Sequence, residues 1–352
     1  MENLLKNWDG ESIQLTFDRE ANTWIIIAIH STVLGPAAGG TRMKTYPNLK
    51  DAILDAQRLA AGMTLKWAAA GSKRGGGKAV LCTPHDLSAE QREALLKRYG
   101  TEVNKLNGLF YTGPDLGTST ADMDIIGQYA PKYIFGRSPS LGGAGDPAPF
   151  TALGVYTAME VTARQLYLDP MLQNWRIVIQ GGGGVGRNLA IMLCDVGAEV
   201  LFTDIDEEAI RYCSEELGLP FIPADKVYEK KCDIFSPCAV GGIINRGTIP
   251  RFNCKAIVGG ANNQLARPQD AVSLRDRGIL YAPDFIANCG GAIAITEIEA
   301  AGWTAKKAAD SIKSAVQENL AQIYELSAEQ DISTDQAARL LAELRLSAES
   351  SQ

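Results

Sequence analysis

The chain has 352 residues, of which 46% are hydrophobic, and carries a formal net charge of −7. These values fit a globular protein of one large or two medium domains, and they exclude a disordered chain or a strongly basic nucleic-acid binder. No apolar run approaches the ~18 residues that a membrane helix needs, and the N-terminus lacks a secretory pattern, so we expect a cytoplasmic protein. The seven scattered cysteines form no CxxC pair, so we expect reduced thiols and no metal site.

The first third of the sequence predicts a mixed α/β domain. Residues 23–30 are a β-branched run of strand length, and residues 48–70 have apolar positions at helical spacing. A glycine-rich break at 71–77 then leads into a short strand, and residues 86–105 predict an amphipathic helix. A loop rich in glycine and proline at 136–149 is the candidate domain boundary.

A regular alternation of strands and helices begins at about residue 150. Because parallel strands need a crossover connection, this alternation predicts a parallel sheet. Its predicted strands are residues 176–180, 199–203, 233–236, 256–259 and 279–281. Two C-terminal helices are predicted at 304–328 and 333–348, and Ser333 begins the second one with the spacing of a capping box.

The predicted fold class is therefore α/β, with two domains and a cleft between them. Residues 1–135 together with 331–352 are expected to form a mixed-sheet domain for substrate binding and oligomerisation. Residues 136–330 are expected to form a Rossmann dinucleotide-binding domain.

A glycine fingerprint follows the predicted strand 176–180. Gly181, Gly183 and Gly186 give the spacing G-x-G-x-x-G, and Asp204 ends the next strand, about 20 residues further on, where a dinucleotide fold places its ribose-binding acid. A carboxylate there repels a 2′-phosphate, so the pattern favours NAD over NADP. The alternative is a flexible turn in an α/β domain that binds no nucleotide.

Lysine and carboxylate side chains are the candidates for acid–base chemistry, because the chain has only two histidines. Lys66 and Lys78 flank the glycine-rich break, and Asp115 lies in a Gly-Pro-Asp segment. A desolvated lysine near a second ammonium has a lowered pKa and can act as a base. Lys66 could supply that second charge while it pairs with a substrate carboxylate. The alternative is that both lysines are ordinary solvated surface groups.

Several ordered motifs then identify a family resemblance that covers nearly the whole chain. The sequence resembles the glutamate/leucine/phenylalanine/valine dehydrogenases, most closely phenylalanine dehydrogenases. The motifs are residues 35–42 (GPAAGGTR), 63–66 (MTLK), 75–78 (GGGK), 113–115 (GPD), 121–124 (ADMD), 236–239 (SPCA), 260–263 (GANN) and 288–291 (NCGG).

The resemblance implies NAD-dependent, reversible oxidative deamination of an L-amino acid by a homo-oligomer built from dimers. It implies that Lys66 binds the substrate α-carboxylate, that Lys78 activates the water that attacks the imine, and that Asp115 exchanges protons with the substrate nitrogen. It places Gly39, Gly40 and Asn262 at the substrate. At the cofactor it places Thr151, Gly181, Gly183, Gly184, Val185, Gly186, Asp204, Ile205, Cys238, Ala239, Ala261, Asn263 and Asn288.

Side-chain specificity is predicted from three small residues. Ala38, Gly113 and Ala292 stand where the leucine-specific pattern has larger side chains, which leaves room for an aromatic ring. Phenylalanine is therefore the first choice, with tryptophan, tyrosine or a branched aliphatic amino acid as alternatives. An NAD-binding sensor without turnover is the non-enzymatic alternative. A 2-hydroxy-acid dehydrogenase would need a histidine base, and no motif here supplies one.

Three residues near the catalytic glycines leave the nature of the pocket open. If Lys73 and Arg74 point inward, they make the pocket polar and could admit an acidic or polar substrate. If they point outward, they are ordinary surface charges. The outward orientation is favoured, because burying an unpaired charge is costly. Trp67 could fill part of the space that the small residues open.

Overall fold

The computed structural model describes residue 4 and residues 6–350, which form two compact units. The first unit comprises the chain up to Asp146, the segment Ile295–Trp303 and the chain from Ala342 onward. The second comprises Pro147–Ala294 and Thr304–Leu341. Among the described residues, none of the helices combines the length and the apolar character that are required to cross a bilayer.

The first unit contains a mixed sheet, as the sequence predicts, and this sheet has five strands. Its strands are β1 (Ser12–Asp18), β2 (Thr23–Ser31), β3 (Ala37–Lys44), β4 (Gly75–Cys82) and β5 (Phe110–Pro114). Their order is β1-β2-β4-β3-β5, with β2 antiparallel to β1 and β4, and β3 parallel to β4 and β5. Its helices include α1 (Leu49–Ala69), α2 (Ala89–Lys105) and α3 (Thr120–Gly127).

Helices cover the two faces of this sheet unequally. On one face, α2 and α3 bury a large apolar cluster that includes Leu95, Leu96 and Ile126. On the other face, α1 packs on β2 and β4 through alanines and Ile53. A Cβ at Gly76 would overlap Thr64 of α1, so this glycine permits the close helix–strand approach.

The second unit contains a fully parallel sheet, also as predicted. Its strands are β6 (Arg176–Gln180), β7 (Glu199–Thr203), β8 (Ile234–Pro237), β9 (Ala256–Ile257) and β10 (Leu280–Tyr281). Their order is β10-β9-β8-β6-β7, and Phe221 adds one bridge beyond β7 at Phe202. With that bridge the order corresponds to the 3-2-1-4-5-6 arrangement of dinucleotide-binding sheets, in which ligands bind at the carboxyl ends of the strands.

Helices connect these parallel strands. They are α4 (Ala148–Tyr167), α5 (Gly184–Asp195), α6 (Glu207–Arg211), α7 (Gln269–Asp276), α8 (Asp284–Ala287), α9 (Gly290–Ala301), α10 (Ala305–Gln330) and α11 (Thr334–Ser350). The N-cap of α11 has the predicted capping box, because Ser333 and Gln336 exchange hydrogen bonds. The predicted boundaries of the last two helices agree with α10 and α11 to within a few residues.

The division between the units differs from the predicted one in three places. Residues 136–146 belong to the first unit, where Glu299 accepts hydrogen bonds from the backbone of Gly136 and Ala144. Residues 295–303 join that unit with Glu299. Residues 331–341, expected in the first unit, belong to the second, since Thr334 of α11 donates to the Tyr281 carbonyl.

Candidate active site

The candidate catalytic residues of the first unit share one face of its sheet. In the register of the parallel strands, Ala38 lies opposite Gly76 and Tyr111, and Gly40 lies opposite Gly113. Side chains alternate between faces along a strand, so β3, β4 and β5 present Ala38, Gly40, Lys78 and Gly113 together. This is the face on which α1 packs, and α1 carries Lys66 in its last turn.

Lys78 and Asp115 form a buried ion pair. The Lys78 Nζ lies 2.9 Å from Asp115 Oδ2, and the two side chains are 6% and 16% exposed. Arg42 Nε donates to the same oxygen, also at 2.9 Å. Among residues 6–350, no group makes a hydrogen bond or an ion pair with the other carboxylate oxygen, Oδ1, which therefore can accept a hydrogen bond from a ligand.

The environment shifts the pKa values of both partners. Burial lowers the pKa of Lys78, with a smaller contribution from the Arg42 charge, and the opposing effect of Asp115 does not offset these. Burial acts to raise the pKa of Asp115, but Lys78 and Arg42 outweigh it and lower that pKa to about 2. The pair therefore combines a lysine that loses its proton readily with a carboxylate that stays ionised.

Arg42 places a positive charge beside this pair. Its charge lowers the pKa of Lys78, which is the kind of effect that the sequence predicts for a second cation. That Lys66 adds such a charge stays a prediction. Arg42 bridges Asp115 to Asp55, with Arg42 NH1 3.1 Å from Asp55 Oδ2. The hydroxyl of Tyr46 donates to the same Asp55 oxygen at 2.7 Å. The carboxylate-binding role of Lys66 stays a prediction.

The amino-acid sequence does not reveal this supporting network of Arg42, Asp55 and Tyr46. Arg42 stands at the end of the quoted motif 35–42, so its position was available from the sequence. Asp55 and Tyr46 lie in no such motif, and only the fold brings them to Arg42. Through the hydrogen bond from Arg42 to Asp115 Oδ2, this network fixes the carboxylate beside the Lys78 amine.

Gly40 must be a glycine for this pair to form. A Cβ at Gly40 would lie 2.8 Å from the Asp115 Cβ and 3.3 Å from the Lys78 Nζ. A Cβ at Gly39 would overlap the carbonyl oxygen of Gly77 and would lie 3.2 Å from Met63. Both glycines thus let β3 approach its neighbours closely.

Two of the three small residues predicted to define specificity lie on this face. Ala38 is buried, and its carbonyl accepts a hydrogen bond of 2.9 Å from the Trp67 indole. A Cβ at Gly113 would lie 3.5 Å from Ile295 and 3.6 Å from the Phe135 Cβ. Trp67 therefore supports the backbone at Ala38. The third residue, Ala292, lies on α9 in the second unit.

The two basic residues before β4 have different environments. Lys73 is exposed, as expected for an ordinary surface charge. Arg74 is half-buried, with its guanidinium 4.9 Å from the ring centre of Tyr111 and 5.4 Å from that of Phe135. Only Arg74 thus lies against the aromatic residues beside Gly113.

The glycine fingerprint of the second unit forms the turn between β6 and α5. Gly181 has φ of +113°, and a Cβ there would lie 2.8 Å from the Ala239 nitrogen, so only glycine fits. A Cβ at Gly186 would overlap the Gly181 carbonyl. Gly183 has no neighbour within 4 Å on that side, and no side chain caps α5. The open N-terminus of this helix fits a pyrophosphate group.

Asp204 lies at the end of β7, beside this turn. Its Oδ2 accepts from the Gly182 nitrogen at 2.5 Å, and its Oδ1 accepts from the nitrogens of Ile205 and Asp206 at 2.6 and 3.0 Å. These bonds fix the carboxylate and leave further lone pairs for the hydroxyls of a ribose.

The other predicted cofactor residues also belong to the second unit, mostly beyond the carboxyl ends of its strands. Asn288 donates to Asn262 Oδ1 at 2.8 Å and thereby ties α8 to the loop after β9. The Thr151 hydroxyl in α4 donates to the Pro147 carbonyl and packs against Gly291. Gly184 and Val185 follow β6, and Cys238 and Ala239 follow β8. Ala261 and Asn263 follow β9.

The chain is similar to known proteins over nearly its whole length. Residues 15–131 match the model of the Glu/Leu/Phe/Val dehydrogenase dimerisation domain, and residues 203–352 match the Glutamate/Leucine/Phenylalanine/Valine dehydrogenase model. The chain is 39% identical to a leucine dehydrogenase from Geobacillus stearothermophilus over 97% of this chain and 92% of that one. It is 44% identical to a phenylalanine dehydrogenase from Lysinibacillus sphaericus over 82% and 76%. The crystal structure of L-tryptophan dehydrogenase from Nostoc punctiforme superposes with a TM-score of 0.84 at 34% identity and covers both chains fully.

Proposed function

Because the chain belongs to the Glu/Leu/Phe/Val dehydrogenase family and is an amino acid dehydrogenase, we propose that it catalyses the reversible NAD-dependent oxidative deamination of an aromatic L-amino acid of the phenylalanine type. The buried Lys78–Asp115 pair carries this proposal, because it offers a deprotonatable amine and a fixed carboxylate at one point. Oxidation of an amine to an imine, followed by hydrolysis, needs both groups.

The geometry suggests a separate task for each residue. NAD, held by the glycine turn and Asp204, would supply the acceptor for the hydride of the substrate Cα. The neutral Lys78 amine then takes a proton from the water that attacks the imine carbon, since its lowered pKa makes the amine available. Asp115 Oδ1 accepts a hydrogen bond from the substrate nitrogen and exchanges protons with it, while Arg42 donates a hydrogen bond to Oδ2. Lys66 pairs with the α-carboxylate.

Residues of the first unit support an aromatic side chain. Ala38 and Gly113 remove side-chain volume on the same face of the sheet as Lys78. Unfilled apolar space costs binding energy, so such a surface favours a substrate large enough to fill it. Phe135 and Ile295 border Gly113 and provide apolar contacts for a ring.

The proposed cofactor is NAD. The glycine turn would hold its pyrophosphate, and Asp204 would accept hydrogen bonds from its adenosine ribose. The exposed Ile205 side chain, at 88%, lies next to Asp204 and is available to contact the adenine. A carboxylate at this position disfavours the 2′-phosphate of NADP through charge repulsion.

Replacing Asp204 by alanine is expected to raise the dissociation constant of NADH by roughly tenfold or more, because charge-assisted hydrogen bonds to the ribose are lost. The variant also loses the acceptor for three backbone N–H groups, so its melting temperature is expected to fall. NADH binding can be followed by its fluorescence enhancement. NADP discrimination is expected to weaken in the same variant.

Asp206→Ala is a matched control for this measurement. Asp206 lies on the same loop and caps α6 through the Ala209 nitrogen at 2.8 Å. Loss of this cap is expected to cost about 1 kcal/mol of stability without a change in NADH affinity. If Asp204→Ala lowered the stability in the same way but bound NADH normally, Asp204 would not contact the ribose.

The proposed function is tested by ammonia-dependent oxidation of NADH with a panel of 2-oxo acids. The panel contains phenylpyruvate, 4-hydroxyphenylpyruvate, indolepyruvate, 4-methyl-2-oxopentanoate and 2-oxoglutarate. We expect kcat/KM to be several-fold higher for the single-ring aromatic acids than for 4-methyl-2-oxopentanoate, since the smaller isobutyl side chain would leave part of the apolar space unfilled.

A branched-chain amino acid is the second candidate substrate. The leucine dehydrogenase relative aligns over 342 residues, a longer stretch than the 292 residues of the phenylalanine dehydrogenase. A preference for 4-methyl-2-oxopentanoate in the panel would favour this candidate and would contradict the aromatic proposal.

We also expect a homo-oligomer built from dimers, in which the subunits contact each other through the first unit. The family model that matches residues 15–131 is described as a dimerisation domain. Within that range β1 is an edge strand, and its Leu15 and Phe17 are 36% and 39% exposed. An edge strand of this kind offers backbone groups and apolar side chains to a second subunit.

A further inference from the structure

Arg74 has no counter-ion among residues 6–350. No carboxylate in this range lies within 4.0 Å of its guanidinium, and the group makes no hydrogen bond to these residues. It is nevertheless half-buried, over the rings of Tyr111 and Phe135. An unpaired, partly desolvated guanidinium has five N–H donors in a plane and is suited to an oxygen ligand.

The rings beneath Arg74 form a rigid platform. Tyr111 and Phe135 stack with centroids 5.5 Å apart at 15°, and Tyr133 meets the edge of Tyr111 at 5.4 Å. The Phe135 nitrogen donates to the Thr112 carbonyl of β5 at 2.7 Å. Cation–π attraction to two fixed rings holds the guanidinium in one place without neutralising it.

This platform lies on the same face of the sheet as the catalytic pair. Arg74 precedes β4 by one residue and is in phase with Gly76 and Lys78 along that strand. Its guanidinium reaches the ring of Tyr111, which is opposite Ala38 and two residues from Gly113 on β5. Two residues along a strand span about 7 Å, so the backbone of Tyr111 is one such step from the row that contains Gly40 and Gly113.

We propose that Arg74 is a specificity-determining residue that contacts the far end of the substrate side chain and favours an oxygen acceptor there. The proposal rests on the function proposed above. A substrate nitrogen held at Asp115 directs the side chain along the space above Ala38 and Gly113, toward the Arg74 guanidinium. For a single-ring aromatic substrate, the acceptor is the hydroxyl of a tyrosine-type ring, which refines the expectation of phenylalanine.

The test compares kcat/KM for 4-hydroxyphenylpyruvate and phenylpyruvate, with ammonia and NADH, in the full-length enzyme. We expect the wild type to favour the hydroxylated acid and Arg74→Met to lower this ratio by about tenfold or more, because a hydrogen bond to a charged group is lost. Arg74→Gln keeps N–H donors without the charge, so its kcat/KM ratio is expected to lie between those of the wild type and Arg74→Met. The same variant tests the proposal if Arg74→Met is unstable.

Lys73→Met is the matched control, since it removes the same charge from the neighbouring, exposed side chain. Its substrate ratio is expected to equal that of the wild type. Aromatic activity with an unchanged ratio in both Arg74 variants would overturn the role of Arg74 and leave the proposed function intact.

Activity on 2-oxoglutarate can contradict the proposed aromatic substrate while it supports the role of Arg74. If the wild type preferred 2-oxoglutarate, and Arg74→Met lost that preference, the aromatic substrate would be wrong while Arg74 would still contact an oxygen acceptor. A preference for 4-methyl-2-oxopentanoate, which has no such acceptor, would overturn both proposals.

Discussion

Lys78→Met is expected to lower kcat for deamination by about 10³-fold or more, within the range that a positioned acid–base group contributes. Methionine keeps most of the buried stem in β4 but has no amine. Asp115 still pairs with Arg42 at 2.9 Å in this variant, so no buried carboxylate is left without a partner and the fold is expected to persist. Steady-state deamination assays measure kcat, and a fluorescence titration measures the affinity for NADH, which is expected to be unchanged.

The pH dependence of the wild type tests the same role. Burial disfavours the charged form of Lys78 and lowers its pKa below the ordinary lysine value of about 10.4. The active neutral amine therefore accumulates as the pH rises, and kcat/KM for deamination is expected to increase through an apparent pKa below that value. Asp115 acts to raise the pKa of Lys78, so residual activity in Asp115→Asn is expected to show an apparent pKa shifted to lower pH.

Lys78→Arg distinguishes a base from a mere positive charge. Arginine keeps the charge beside Asp115 but does not lose its proton in proteins. Activity near the wild-type level in Lys78→Arg or in Lys78→Met would show that Lys78 is not the base. Loss of activity in both, with NADH still bound, would support the assigned role.

Gly40→Ala is expected to lower kcat/KM by about 100-fold, although it adds only one methyl group. That methyl would lie 2.8 Å from the Asp115 Cβ, 2.9 Å from the Pro114 carbonyl and 3.3 Å from the Lys78 Nζ. Relief of these contacts must displace the catalytic pair, and displacements of about 1 Å have effects of this size. Overpacking is also expected to cost about 1–3 kcal/mol of stability.

Gly62→Ala is the matched control for the added methyl group. Gly62 is an exposed residue of α1 with nothing within 4 Å of the added Cβ. The change is expected to stabilise the protein by about 1 kcal/mol through helix propensity and to leave the kinetics unaltered. Normal kinetics in Gly40→Ala, measured beside this control, would contradict the packing that the structure assigns to Gly40.

The two halves of the chain differ in how much of their fold the sequence predicts. In the second unit, β6 and β7 are compact apolar strands buried on both faces, so their sequences are continuous apolar runs that are easily recognised. In the first unit, β3 reads AAGGTRMK, which has no strand periodicity, and it was not predicted as a strand. Its pairing with β4 and β5, rather than its own propensity, makes it a strand.

The candidate site shows the same contrast. Residue type and spacing were sufficient to propose Lys78, Asp115 and the fingerprint glycines, because a nucleotide-binding turn and a lysine base each need specific residues. The ion pair itself depends on the fold, because Lys78 lies in β4 and Asp115 directly follows β5. The Arg42 charge beside the pair was not predicted, because only the fold brings Arg42 to Lys78 and Asp115.

The amino-acid sequence alone predicts the fold class, the parallel second sheet, the glycine turn with Asp204, and the family. These features depend on local chemistry: apolar periodicity, glycine conformations and the position of an acid after a strand. The tertiary structure alone decided which cation supports Asp115, why Gly40 cannot carry a side chain, and that Arg74 lies over Tyr111 and Phe135 while Lys73 is exposed. Each of these depends on distances between residues far apart in the chain, which are set by strand register and helix packing.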